Sequence, residues 1–301
     1  MLQIIKRRKL YLSIAAIVTL ASWGCVAVWG IRPGIDFTGG SLVDAKFTQS
    51  MPAVTEVQSV IKDLKFDSEV VIQTTEDQSM ILRYKSDETN ESAVHAALIS
   101  KLVEKYPDNF REDRYETVGP AFGRTLKTQA VYAIIFAILA IVIYIAWAFR
   151  KVSWPVQSWK YGVISILALL HDISLPLGLF AVLGHFYNVE VDLPFVAALL
   201  TILGYSINDT IVIFDRIREN LGRVHKTDFA EVVNRSVNET MARSINTILT
   251  VQLCLIAIFL FGGTSIKNFT LALIVGIASG AYSSIFIASP LLVVWERWGK
   301  K

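Results

Sequence analysis

Six apolar stretches divide the chain: Leu10 to Gly30, Ala130 to Phe149, Tyr161 to Gly184, Leu193 to Phe214, Ile245 to Phe261 and Phe269 to Trp295. Each is close to the ~20 residues a helix needs to cross a hydrocarbon core about 30 Å thick, so they predict six spanning helices. The first follows Lys6, Arg7, Arg8 and Lys9, as a secretory signal would. Its apolar core is too long for a signal and no small-x-small site closes it, so it is expected to stay as an anchor.

Between the first two spans the pattern changes. Short apolar runs at Ser41–Thr48, Glu69–Thr75, Ser79–Lys85 and Phe110–Val118 suit strands. Val54, Val57, Val60, Ile61 and Leu64 recur at helical spacing after Pro52, and Val94, Leu98, Leu102 and Val103 stripe a second helix over Glu88–Tyr106. The order β-α-β-β-α-β predicts a ferredoxin-like arrangement. The expected fold class is therefore a multi-pass α-helical membrane protein with an extracytoplasmic α+β ferredoxin-like domain between helices 1 and 2. Its divisions are 1–30, 31–129 and 130–301. Gly34, Gly39, Gly40, Gly119 and Gly123 flank the domain and read as flexible junctions.

Composition agrees with a membrane. The chain is 53% hydrophobic and 18% charged, against about a quarter charged in soluble domains. With the N-terminus inside, the short cytoplasmic segments hold four, three, six and three Lys or Arg, whereas the short loops opposite hold only Lys267. Both termini are thus expected to be cytoplasmic. Trp147, Trp154, Trp159, Trp295 and Trp298 gather at the inner boundaries, where an amphipathic indole sits well. The net charge of +3 comes without a basic stripe, so nucleic acid is not an expected partner; membrane lipids are. Cys25 and Cys254 lie in apolar runs as small core residues. No disulfide, metal site or cofactor is expected.

Ionisable groups at membrane depth are costly and are functional candidates. Asp209 lies about four turns into the fourth span, among Tyr205, Ser206, Asn208 and Thr210, a cluster that lipid would not accommodate. His171 and Asp172 are near the middle of the third span, and Arg243 is at the cytoplasmic start of the fifth. Asp209 precedes Asp215 by six residues, ~9 Å along the axis, within reach of a long arginine from a neighbouring helix. Burial favours a neutral carboxyl and a nearby guanidinium favours the charged form, so small movements would switch its proton on and off. A fixed interhelical salt bridge or hydrogen bond holding the bundle together is the structural alternative. Ala272, Gly276, Gly280 and Ser284 recur at every fourth position of the sixth span and admit a close helix, from this chain or another. An intramembrane hydrolase is disfavoured: adjacent helical residues such as His171 and Asp172 point about 100° apart, and neither a His-Glu-x-x-His nor a Gly-x-Gly-Asp run occurs. In the predicted outer domain, His95 reads as a solvated surface residue.

Gly34-Ile35-Asp36-Phe37-Thr38-Gly39-Gly40 after the first span resembles the signature that opens the outer domain of the SecD/SecF family. Ala168-Leu169-Leu170-His171-Asp172, Gly204 to Asn220, and Arg243-Ser244-Ile245-Asn246-Thr247 are similar to the same family. The fourth-span motif and the short length distinguish the chain from SecD. The resemblance implies a bacterial inner-membrane subunit, not an enzyme. It would pair with SecD and work beside the SecYEG channel, using the proton motive force to draw unfolded polypeptide outward. It extends the candidate partners to YajC and SecA. By the same resemblance, Asp209 carries the proton, Arg243 is its charged neighbour, and Asp172, His171 and Asn208 are supporting polar residues. No Walker-type phosphate loop occurs in the sequence, so an ion gradient rather than ATP is expected to drive the subunit directly. A small-molecule or lipid exporter of the resistance-nodulation-division superfamily is the alternative.

Overall fold

The computed structural model of the chain describes residues 1–62, 64, 66, 70–75, 78–85, 90–149, 156–223 and 228–298. Its helices are α1 (Arg8–Trp29), α2 (Ile35–Thr38), α3 (Val54–Ile61), α4 (Glu91–Lys105), α5 (Pro120–Ala148), α6 (Ser158–Tyr187), α7 (Leu193–Arg223), α8 (Phe229–Phe261), α9 (Thr264–Ser283) and α10 (Ser289–Trp298). A π turn, Ser284–Ala288, joins the last two into one apolar rod, directly before Pro290, whose ring cannot continue an ordinary i→i−4 ladder. Among the described residues, six helical segments are long and apolar enough to cross a membrane.

The described residues fall into two compact units. The first comprises Met1–Ile31, Val131–Val189 and Pro194–Lys301. In it α6, α7 and the α9–α10 rod are central, with 50%, 50% and 61% of their most apolar stretches buried, against 6%, 6% and 11% for α1, α5 and α8. The centre is packed through small residues. A Cβ placed on Gly276 would lie 2.2 Å from the Ile202 side chain, one on Gly280 would lie 2.8 Å from Ser206, and one on Gly178 would lie 2.6 Å from Ser22. The small-residue stripe of the sixth span therefore meets α7 of the same chain. At one end Phe149 and Tyr161 stack at 5.3 Å, with Phe214 edge-on to both.

The second unit comprises Arg32–Ala130 and Glu190–Leu193. Strands β1 (Gly40–Phe47), β2 (Val71–Thr74), β3 (Ser79–Tyr84) and β4 (Phe110–Val118) form an antiparallel sheet in the order β2-β3-β1-β4. With α3 after β1 and α4 after β3, the chain order is β-α-β-β-α-β. Strand alternation sends Val43, Ala45, Phe47, Met80, Leu82 and Tyr84 to one face, where they bury against Val57, Ile61, Leu98 and Leu102 of the two helices.

Several helices outrun their apolar windows. Helix α8 begins at Phe229 rather than Ile245, α7 continues to Arg223, and α5 begins at Pro120, because polar helix formers extend a turn structure that hydropathy alone cannot register. The expected starts at Glu69 and Glu88, and Trp154, lie outside the described residues. The glycine junctions are not loose. Gly39 (φ +74°) and Gly40 (φ +130°) hold backbone conformations that side chains rarely adopt, and a Cβ on Gly39 would lie 2.7 Å from Pro120 Cα. A Cβ on Gly123 would in turn lie 3.0 Å from the Gly39 amide. These glycines permit close backbone approach.

Candidate functional site

Two polar clusters lie on either side of α7. The first surrounds Asp172, which is fully buried on α6. Its Oδ2 accepts hydrogen bonds from Ser206 Oγ of α7 at 2.5 Å and Ser283 Oγ of α9 at 2.7 Å, and its Oδ1 accepts one from Ser279 Oγ at 3.1 Å. His171 Nδ1 lies 3.0 Å from the same Oδ1. The two neighbours therefore do meet, although their Cα–Cβ bonds diverge: the imidazole swings back along the helix face and stacks over Tyr282. Tyr282 in turn donates its hydroxyl to the Tyr11 carbonyl of α1. A carboxylate held by three hydroxyls from two other helices is an anchor with its acceptor capacity largely filled.

The second cluster surrounds Asp209. Ser206 faces Asp172, whereas its neighbour Tyr205 and Asp209, three residues on, face α8. Asp209 is partly buried. Its Oδ1 accepts a hydrogen bond from Ser244 Oγ of α8 at 2.5 Å, while its Oδ2 is shielded from solvent and has no hydrogen-bond partner among the described residues. Tyr205 donates to the Thr247 carbonyl at 3.2 Å, fixing α7 against α8 on the same side. Arg243 precedes Ser244 on α8, yet among the described residues it forms no ion pair with Asp209. Instead it is exposed and lines a cavity of about 540 Å³ with Tyr144, Asp215, Arg216, Glu219 and Glu239. Asn208 is exposed on α7.

At the wall of this cavity α7 and α8 are tied by charge. Glu239 accepts from Arg216 at 2.6 Å, Arg235 at 2.8 Å and Asn220 at 2.8 Å. Thr210 and Ser284 share a hydrogen bond of 2.8 Å at the first residue of the π turn, on the α9 side of α7.

Of the residues singled out in the sequence, the fold brings Asp172 and His171 together with Ser206. It places Asp209 on Ser244 rather than on Arg243. Ser279 and Ser283 were not singled out. Their i, i+4 spacing on an otherwise apolar helix was a signal, one that the interleaved small-residue stripe obscured.

Residues 98–298 match the family model described as "Protein export membrane protein SecD/SecF, C-terminal", and residues 30–51 match "SecD/SecF GG Motif". The chain belongs to the SecD/SecF family. It is 39% identical to a relative named protein translocase subunit SecF from Thermobaculum terrenum, over 99% of this chain and 95% of that one. A protein of the same name from Synechocystis is 42% identical over 89% of this chain and 84% of its own length. Among solved structures, the fold is similar to SecDF from Thermus, described as a translocon-associated membrane protein, with a TM-score of 0.83 and 33% identity over 97% of this chain. It is also similar to SecDF in a super-membrane-facing form, with a TM-score of 0.68 and 32% identity over 99% of this chain. The chain spans 38% and 39% of those two SecDF chains. The family's GG motif coincides with Gly39 and Gly40, where close approach of β1, β3 and the start of α5 leaves no room for a side chain.

Proposed function

We propose that the chain is an accessory subunit of the Sec protein translocase which, paired with SecD, uses the proton motive force to promote export of unfolded polypeptide through SecYEG. In this reading it lies in the bacterial inner membrane with both termini cytoplasmic. Residues 1–30 and 130–301 form the membrane part, and 31–129 form a ferredoxin-like domain on the extracytoplasmic side. YajC and SecA are further partners to be sought.

The observation that carries the reading is the unequal treatment of two carboxylates. Asp172 is saturated by hydroxyl donors, as an anchor would be. Among the described residues, Asp209 keeps one oxygen unpartnered and is not locked to Arg243, although the guanidinium is on the adjacent helix. An acid in that state retains a free position for a proton. The polar cavity is lined by Arg243, the residue before Ser244 on α8, and would offer a polar approach from that side. One elementary charge crossing 100 mV releases about 2.3 kcal/mol, enough to bias a two-state element. Asp209 would take up and release the proton, Ser244 would orient its carboxyl, and Arg243 would supply a movable positive charge. His171, Asp172 and Asn208 would be supporting groups.

The test is Asp209→Asn in membrane vesicles containing the chain, SecD and SecYEG. The variant is expected to insert and pair normally, and to lose the gradient-dependent part of export. Normal export under a gradient would return Asp209 to a structural role.

A further inference from the structure

Helix α7, which carries Asp209, begins inside the second unit. Its first residue, Leu193, and the three before it belong to that unit, while the rest of α7 belongs to the first. The four-residue segment Glu190–Leu193 is held by contacts from parts of the chain more than a hundred residues away. Val191 pairs with Pro33 as a short parallel bridge: its amide donates to the Arg32 carbonyl at 2.8 Å and its carbonyl accepts from the Gly34 amide at 2.7 Å. The Leu193 amide donates to Asp36 Oδ2 at 2.8 Å, so the carboxylate of α2 caps α7. Glu190 pairs with Arg83 Nε at 3.1 Å, both side chains being mostly buried. Arg83 lies on the helix-free face of β3 and is itself steadied by Gln73 of β2 at 3.1 Å. Gly34 fits because a Cβ there would lie 3.2 Å from the Val191 carbonyl.

The contrast with α6 gives the direction. Helix α6 ends at Tyr187 with Asn188 in a left-handed turn, and Val189 bonds back to Leu183, all within the first unit. Only the α7 side of the loop runs into the clasp. Burial pushes the Glu190 carboxyl above its ordinary range, while Arg83 and Arg32 pull it down, so Glu190 is a desolvated acid that depends on its cation. Such a pair adds little stability over apolar packing, but removing one partner is expensive, which makes it a rigid fixture.

We propose that Glu190–Leu193, gripped by Gly34, Asp36 and Arg83, is the coupling link that transmits displacement of α7 to the sheet-bearing unit; Arg83, Glu190 and Asp36 are its positioning residues. This inference rests on the proton-relay reading of Asp209. A rigid α-helix passes an axial shift from Asp209 to Leu193, and the cap and ion pair pass it to β3.

Insertion of two glycines puts slack on either side of the clasp in otherwise complete protein. Vesicles containing SecD and SecYEG are assayed for export with and without a proton gradient. Insertion between Leu193 and Pro194 is expected to reduce the gradient-dependent increment by roughly 5-fold or more, the scale of typical coupling energies, with gradient-independent export unchanged. The same insertion between Asn188 and Val189 should leave the increment intact. Arg83→Ala should resemble the first insertion, and the exchanged pair Arg83→Glu with Glu190→Arg should restore at least half of the increment. Equal effects of the two insertions, or a full increment in Arg83→Ala, would overturn the link. If Asp209→Asn abolishes the increment in the same vesicles, the relay survives that failure; if it exports normally, relay and link fall together.

Discussion

Gly280→Ala tests the close approach of α7 and α9 and, through it, the anchoring of Asp172. The added methyl would meet Ser206 Cβ at 2.8 Å, Oγ at 3.0 Å and Cα at 3.3 Å. Carbon contacts settle near 3.5–4.0 Å, so the helices must part by ~0.7 Å. If α7 yields, the 2.5 Å bond from Ser206 to Asp172 stretches to ~3.2 Å, beyond the usual range for a hydroxyl donor. If α9 yields, the Ser279 and Ser283 bonds stretch instead. Overpacking costs roughly 1–3 kcal/mol and an interhelical hydrogen bond in a membrane protein is worth ~0.6–1.7 kcal/mol, giving a total of roughly 2–5 kcal/mol. The measurement is reversible unfolding of the purified chain in mixed micelles. Ser206→Gly should lose the hydrogen bond and up to about 1 kcal/mol of helix propensity, and the double variant should lose less than the sum of the two single losses, since the methyl then enters vacated space. Additive effects, or a single-variant loss below ~0.5 kcal/mol, would refute the packing argument.

Two further substitutions have defined outcomes. Gly39→Ala combines a φ of +74° with a 2.7 Å approach to Pro120, so it should destabilise the sheet-bearing unit by ~3 kcal/mol or more, seen as faster amide exchange in β1 and β4. Glu239→Ala removes the shared acceptor of Arg216, Arg235 and Asn220; since such partly exposed pairs are worth at most ~1 kcal/mol each, the loss should be ~1–2 kcal/mol and should shrink in high salt.

The six spans were legible because burial in hydrocarbon demands a run of about 20 apolar residues, a long and redundant signal. The strands were legible for a related reason: the alternation at Val43, Ala45 and Phe47 sets one face of β1. What escaped was whatever depends on distant partners. Nothing local to Asp36 announces that it caps a helix 157 residues later, and Ser279 and Ser283 acquire meaning only once α9 lies against α6. Gly39 and Gly40 were noticed but misread as freedom, since a glycine that yields to flexibility and one that yields to crowding look alike in one dimension. Spacing put Arg243 within reach of the polar site, yet the choice of Ser244 as the donor to Asp209 turns on one residue of helical rotation, ~100°, that spacing cannot resolve.

The saturation of Asp172 also bears on how the chain is made. Its three hydroxyl donors lie on α7 and α9, both synthesised after α6. When α6 first emerges from the ribosome, its acid and the adjacent imidazole have none of those donors to receive them. Released alone into lipid at that moment, α6 would carry an uncompensated carboxyl into the bilayer. Orderly biogenesis thus favours retention of α6 by the insertion apparatus until Ser283 has been translated, so that the last rod to arrive completes the bundle and lets it depart as one body.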